Sequence, residues 1–249
     1  MIQVDNVSKI YKVKNSKNEK ETIAIDNISC KFCSGEITGL LGVNGAGKST
    51  LLKMLSGNLV PSFIENSEGK ILIDSVDLYD NSLKDNTSLL KEKIGFVQEL
   101  PSFYEDETVF ELLNFTVNFY YEEKNQAKQI LEKLILQCNL KDVLNKKIKT
   151  LSKGYKQRLS FAVALSNNPE ILLLDEPISG LDPIQINEIR QLIINLKKNK
   201  TIICSAKSDK RSVAQNVGGR KFFLILPSYN HIGGVITMAK KIAGYIKLQ

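Results

Sequence analysis

An α/β fold with a parallel principal sheet is expected from three features of the chain. Beyond residue 150, helical and apolar segments alternate: a helix from about Lys156 to Asn167, the strand Ile171 to Leu174, a helix around Ile184 to Lys198, and the strand "TIICSA". Parallel strands with covering helices produce that order. The first third of the chain alternates apolar and polar residues at a period of two, as half-exposed strands do. From Thr108 the period becomes helical.

Taken in order, "IQVDNVSKIYKV" and "TIAIDNISCKFCSGEITGLLG" read as strands joined by a connection in the Lys-rich stretch Lys12 to Lys20. "KSTLLKMLSG" reads as a helix starting after Gly47 and closed by Gly57, and "EGKILIDSVDLYD" adds a short strand. Thr108-x-x-Glu111 matches a capping box, in which a hydroxyl and a carboxylate satisfy the free amides of a helix start. Val109, Leu112, Leu113, Thr116 and Val117 then follow one helix face, and Ile130, Leu131, Leu134 and Ile135 form a second, ending near Leu140. Positions 100–149 are expected to be a helical insert. At the C-terminal end, an apolar "KFFLILP" and a turn "SYNHIGG" precede a stretch whose apolar positions 235, 236, 239, 242, 243 and 246 fit one helix face, expected to pack on the domain.

Composition narrows the class. With 249 residues, 43% of them hydrophobic, the chain is long enough to bury a substantial core. No apolar run reaches the roughly 18 to 20 residues that span a bilayer, and the first twenty positions lack a secretion signal's apolar centre. A soluble, intracellular protein is expected. The net charge of +7 is diffuse, and no basic strip with interleaved aromatic rings suggests nucleic acid. Cys30 and Cys33 form a lone C-x-x-C without the second pair that a zinc site needs, so reduced, structural thiols are expected.

The chemistry is concentrated in two stretches. "GVNGAGKST", comprising Gly42, Val43, Asn44, Gly45, Ala46, Gly47, Lys48, Ser49 and Thr50, matches the phosphate-binding pattern G-x-x-x-x-G-K-[ST] between an apolar strand and a helix. Glycines let the backbone wrap phosphates, successive amides and the helix start supply positive potential, Lys48 reaches the β/γ oxygens, and the Ser49 hydroxyl ligates Mg²⁺. "ILLLDEPISGLD" drives four aliphatic residues into adjacent carboxylates, Asp175 and Glu176. Two neighbouring acids at a buried strand end are costly unless a cation or a proton-transfer task uses them. With a nucleotide's Mg²⁺ nearby, Asp175 is expected to hold the metal and Glu176 to polarise the attacking water.

With the phosphate loop, "LSKGYKQR" at 151–158 and "ILLLDEPISGLDP" at 171–183 in that order, the chain resembles the ATP-binding subunits of ABC transporters, over roughly residues 1 to 207. The form "LSKGY" is similar to that of ABC-2 type exporters. The resemblance implies a P-loop NTPase core with a mixed or parallel sheet, an antiparallel β-subdomain and a helical subdomain. It makes the chain a single domain, with 1–97 and 150–249 as core and 98–149 as helical subdomain. It implies ATP and Mg²⁺ as ligands, and hydrolysis in a homo- or heterodimer, where Ser152 and Gly154 of one subunit cap the nucleotide of the other. By the same resemblance Asp182 lies at the dimer seam and Tyr11 stacks on adenine. Gln98 is placed as the Mg²⁺-sensing residue by identity, although counting forward from Ile94 reaches Glu99.

The family places a histidine after the strand "TIICSA", where this chain has Lys207, and its one histidine, His231, sits in a Gly/Asn/Ser turn and is expected at the surface. Lysine offers phosphate a charge but no acceptor nitrogen, so slow ATP hydrolysis is expected. The resulting expectation is a motor subunit on the cytoplasmic face of a membrane, driving transmembrane permease subunits, in export, with no nucleic acid partner. An ATP-gated regulatory or scaffold protein with little turnover is the second reading. A soluble cassette for translation or DNA repair is the third, and it would want a second cassette or a long coiled coil.

Overall fold

The computed structural model describes residues 1–15, 18–62, 69–80, 82, 84–207 and 221–224. Two sheets organise them. The strands β1 (Ile2–Asn15), β2 (Asn18–Phe32), β4 (Lys70–Ile73) and β5 (Val76–Asp77) form an antiparallel sheet in the order β2-β1-β4-β5. The strands β3 (Ile37–Gly42), β6 (Ile94–Val97), β7 (Ile171–Leu174), β8 (Thr201–Lys207) and β9 (Lys221–Leu224) form a parallel sheet in the order β6-β7-β8-β3-β9. The described α-helices are α1 (Lys48–Leu55), α2 (Lys84–Glu92), α3 (Val109–Tyr120), α4 (Lys124–Gln137), α5 (Lys153–Ala164) and α6 (Pro183–Leu196).

The unbroken apolar run of β7 follows from its position between β6 and β8, where all of its residues are buried. Alternation along it feeds two cores. Leu172 and Leu174 join Leu113, Leu134, Phe161 and Ile193 on one side, whereas Ile171 and Leu173 join Leu40, Leu52, Met54 and Ile73 on the other. The capping box at Thr108 and Glu111 is formed, and Val109, Leu113 and Val117 are the buried face of α3.

Three expectations change. The Lys-rich stretch is not a loose connection: β1 and β2 run on as a long hairpin, with Lys12 opposite Glu21 and Asn15 opposite Asn18. Cross-strand opposite charges support it there, Lys12 Nζ lying 2.9 Å from Glu21 Oε1. The helix expected from Lys156 starts at Lys153 and ends at Ala164, because the Ser152 hydroxyl accepts the Tyr155 amide and caps it three residues earlier. Helix α2 and strand β6 have no counterpart among the expected elements. The apolar-faced stretch 235–246 and His231 lie outside the described residues.

Candidate active site

The parallel strands β3, β7 and β8 end together: Gly42 pairs with Lys207, and Leu174 with Cys204. Loop residues that follow such strand ends form the usual ligand crevice of an α/β sheet. From β3 the chain enters the loop 43–47 and then α1. Gly47 sits at φ +88° beneath the hairpin, where a Cβ would lie 2.5 Å from the Ala24 carbonyl oxygen, so only glycine fits. Helix α1 has no side-chain N-cap and no acid in its first turn. Its leading amides and the positive end of its dipole therefore remain available to an anion.

Lys48 is buried, and its ammonium donates to the carbonyls of Gly42 at 2.9 Å and Val43 at 3.0 Å. This folds the lysine back along its own loop, beside the place where phosphates would lie. Ser49, one residue on, donates its hydroxyl to Asp175 Oδ1 at 3.0 Å. The two residues, 126 positions apart and read from separate motifs, are thus in direct contact. A serine hydroxyl and a carboxylate oxygen meeting at a phosphate loop are the oxygen donor set that suits Mg²⁺.

Asp175 leaves the end of β7, with 6% of its surface exposed, and its amide donates to the Val97 carbonyl of β6. A second hydroxyl reaches the same oxygen: Ser205 Oγ donates to Asp175 Oδ1 at 2.7 Å and accepts the Glu176 amide at 2.9 Å. Ser205 is wholly buried on β8. Sequence reading misses it, its one signal being a serine in the otherwise apolar run 202–206. Glu176 holds φ +44°, left-handed for a residue with a Cβ, and the Ser205 hydroxyl secures that peptide. The pKa of the Cys204 thiol, buried beside the acids, is pushed up to about 12 by burial and by the Asp175 and Glu176 charges.

Strand register locates the other expected residues. β6 ends at Val97 opposite Leu174, so Gln98 is next in register to Asp175, and both Gln98 and Glu99 leave the sheet beside it. Lys207 ends β8 alongside Gly42, and its side chain lies outside the described residues. Tyr11 is on β1 opposite Thr22, 39% exposed, with the Lys9 ammonium 5.7 Å from its ring centroid. Lys9 in turn pairs with Ile25, whose side chain roofs Gly47, so Tyr11 stands on the hairpin that covers the phosphate loop.

Ser152, Gly154 and Asp182 form a second group. Ser152 caps α5, and Asp182 caps α6 by accepting the Gln185 amide at 2.9 Å. Gly154 presses on the Gln185 side chain, where a Cβ would come within 2.5 Å, and Lys153 Nζ lies against Gly180 in the same way, 2.6 Å from a Cβ position. Among the described residues no hydrogen bond or ion pair joins this group to residues 42–50. The departures in "LSKGY" are accommodated locally: Lys153 rests on the 179–182 loop, and the Arg158 guanidinium lies 5.7 Å over the Tyr155 ring while pairing with Glu188 of α6.

Known proteins share this fold and part of this sequence. Residues 25–179 match the family described as ABC transporter. The chain is 35% identical over 199 residues to the uncharacterized ABC transporter ATP-binding protein YcbN of Bacillus subtilis, covering 80% of this chain and 58% of that protein. It is 36% identical over 203 residues to the bacitracin transport ATP-binding protein BcrA of Bacillus licheniformis, covering 81% and 59%. The chain thus spans less than two thirds of the length of these two relatives. The dimeric structure of MJ0796, a bacterial ABC transporter cassette, superposes with a TM-score of 0.77 at 28% identity, covering 91% of this chain and 95% of that one. The match across the phosphate loop and the acid pair, together with the shared cassette fold, makes this chain a member of the ABC transporter family, of which it carries the ATP-binding domain.

Proposed function

We propose that the chain is the ATP-hydrolysing motor subunit of a transporter, closing as a homo- or heterodimer on ATP to drive transmembrane permease subunits. The observation that carries this reading is the meeting of Ser49 with Asp175 at 3.0 Å, with Glu176 fastened beside them through Ser205. Gly42 to Thr50 wrap the triphosphate with backbone amides, and Lys48 turns from its loop carbonyls to the β/γ oxygens. Ser49 and Asp175 would hold a nucleotide-borne Mg²⁺, with Gln98 or Glu99 placed at the adjoining strand end to sense it. When bound, that ion neutralises charge developing on the phosphate oxygens. Glu176 orients the attacking water and accepts its proton. Tyr11 lies against adenine.

The second group serves the partner's nucleotide. Ser152, Gly154 and Asp182 sit on two capped helix starts that pack on each other, so they present one rigid face. A face of that kind, unattached to its own phosphate loop, suits a nucleotide sandwiched between two chains. Membrane subunits engage residues 98–149, the helical subdomain, where Leu100, Tyr104, Phe115 and Phe119 are each more than 70% exposed. No helix of the described residues is long and apolar enough to cross a membrane, so the permease is a separate partner or a separate segment. We place the chain at the cytoplasmic face, and read the direction as export from the form "LSKGY".

The test is phosphate release by the intact complex purified from detergent-solubilised membranes, for wild type, Glu176→Gln and Lys207→His. Slow turnover abolished by Glu176→Gln and raised by Lys207→His is the expected result, and equal rates in all three would overturn the mechanism. Lys207 in the histidine position also supports a second reading, an ATP-gated regulatory protein. That reading requires ATP occlusion without phosphate release.

A further inference from the structure

We propose that a crevice at the opposite end of the parallel sheet is a binding site for a small carboxylate or phosphate anion. The crevice encloses about 320 Å³ between α4, the turn from α5 into β7 and the turn from α6 into β8. Strands β7 and β8 enter the sheet there, at Ile171 and Thr201, whereas Asp175 and Lys207 mark their exits at the nucleotide site. An occupant would therefore not compete with ATP.

The argument starts from Lys200. Only 9% of the residue is exposed, and its ammonium donates to Asn168 Oδ1 at 3.2 Å and to the Pro169 carbonyl. Both acceptors are neutral. Among the described residues no carboxylate comes within ion-pair distance of it, and the nearby Glu170 pairs with Lys93 at 3.5 Å. A buried ammonium without an ion-pair partner is costly unless an anion arrives to balance it.

The surroundings increase that demand. Burial first, and then the like charge of Lys133 on α4, push the Lys200 pKa down, while the Glu170 charge opposes them. Glu170 also lines the crevice but pairs with Lys93, so the two ammoniums bordering it still repel each other unless they share a ligand. Gln137, Asn195 and Asn199 add amide donors to the same wall, while Leu134 and Leu196 give it an apolar floor. Amide donors, two cations and a short apolar surface suit a compact anion, and the volume admits a small carboxylic acid as readily as phosphate. Lys133 belongs to α4 and Lys200 to the entry of β8, so a bound anion would pin the helical part to the core and resist their relative motion.

The probes are inorganic phosphate and succinate, added to the Glu176→Gln chain saturated with Mg-ATP so that its own phosphate subsites are filled. Calorimetry and thermal melting are read against sodium chloride of equal ionic strength. Saturable binding is expected, weakened about tenfold or more by Lys133→Ala. Lys200→Met, which keeps the stem and removes the buried charge, should melt higher without anion and lose the anion response. Both variants should bind Mg-ATP as the parent does. A stronger response to one probe identifies which anion class the site serves. Absence of saturable binding by either probe, or equal affinity in parent and Lys133→Ala, overturns the proposal. Lys133 is exposed, so its variant decides the matter even where Lys200→Met fails to fold.

Discussion

Ser205→Ala isolates what positions the acid pair. The change deletes one oxygen at a fully buried position, removing the 2.7 Å bond to Asp175 Oδ1 and the 2.9 Å bond from the Glu176 amide. A hydrogen bond to a charged group contributes about 1.5–3 kcal/mol, and a buried amide left unsatisfied costs about 1–3 kcal/mol. Against these, losing a hydroxyl makes the side chain easier to bury, so we expect a net destabilisation of about 2–3 kcal/mol. Glu176 at φ +44° is the residue that feels it most, since left-handed backbone at a non-glycine costs about 1–2 kcal/mol and relaxes once its clasp is gone. With Glu176 in its proposed role of general base, a misplacement that forfeits about 1.4–2.7 kcal/mol of transition-state stabilisation lowers kcat about 10- to 100-fold. On the proposed reading Lys48 and the loop amides make most of the nucleotide grip, and Asp175 keeps its Ser49 bond, so the Kd for Mg-ATP should move by less than about threefold. Ser205→Thr keeps the hydroxyl and should recover most of the rate. The assay pairs fluorescent-nucleotide binding with phosphate release in the intact complex. A Ser205→Ala chain with unchanged kcat, or with a rate loss matched by its loss of ATP affinity, would refute the positioning role.

Gly47→Ala should abolish measurable ATP binding and lower the melting temperature, because its Cβ would press the Ala24 carbonyl at 2.5 Å from a left-handed backbone; equilibrium dialysis with ATP checks it. Gly154→Ala forces the Gln185 side chain aside, and is expected to weaken ATP-driven dimerisation about tenfold or more while Mg-ATP affinity of the single chain holds, as read by analytical ultracentrifugation in the Glu176→Gln background. Glu111→Gln tests the capping box through pH. Bonds from the Thr108 amide and hydroxyl hold the Glu111 carboxyl below its ordinary range, so its contribution is complete above the unfolded glutamate pKa and is lost as pH falls through the lower folded value. The glutamine keeps an acceptor oxygen without titrating, so melts from about pH 7 to about pH 3 should show a shallower acid decline in Glu111→Gln than in the parent.

Features that depend on neighbours along the chain could be read from one-dimensional spacing. The phosphate loop is legible because one turn must combine glycines, a lysine and a hydroxyl in fixed order, and α3 is legible because Thr108 and Glu111 cap it three residues apart. The acid pair is legible as a problem of two charges at a buried strand end, with its solution supplied by a second motif. Which distant groups meet is a matter of three-dimensional pairing. Ser205 lies 30 residues from Asp175, and only the parallel pairing of β7 with β8 brings its hydroxyl to the Asp175 carboxylate and the Glu176 amide. The same holds for Gly154 against Gln185, for Lys200 against the residue-168 turn, and for the hairpin that absorbs the Lys-rich stretch. Short-range preference writes helices, caps and turns into local spacing, whereas hydrogen bonds between strands depend on register, which is set by the packing of the whole sheet.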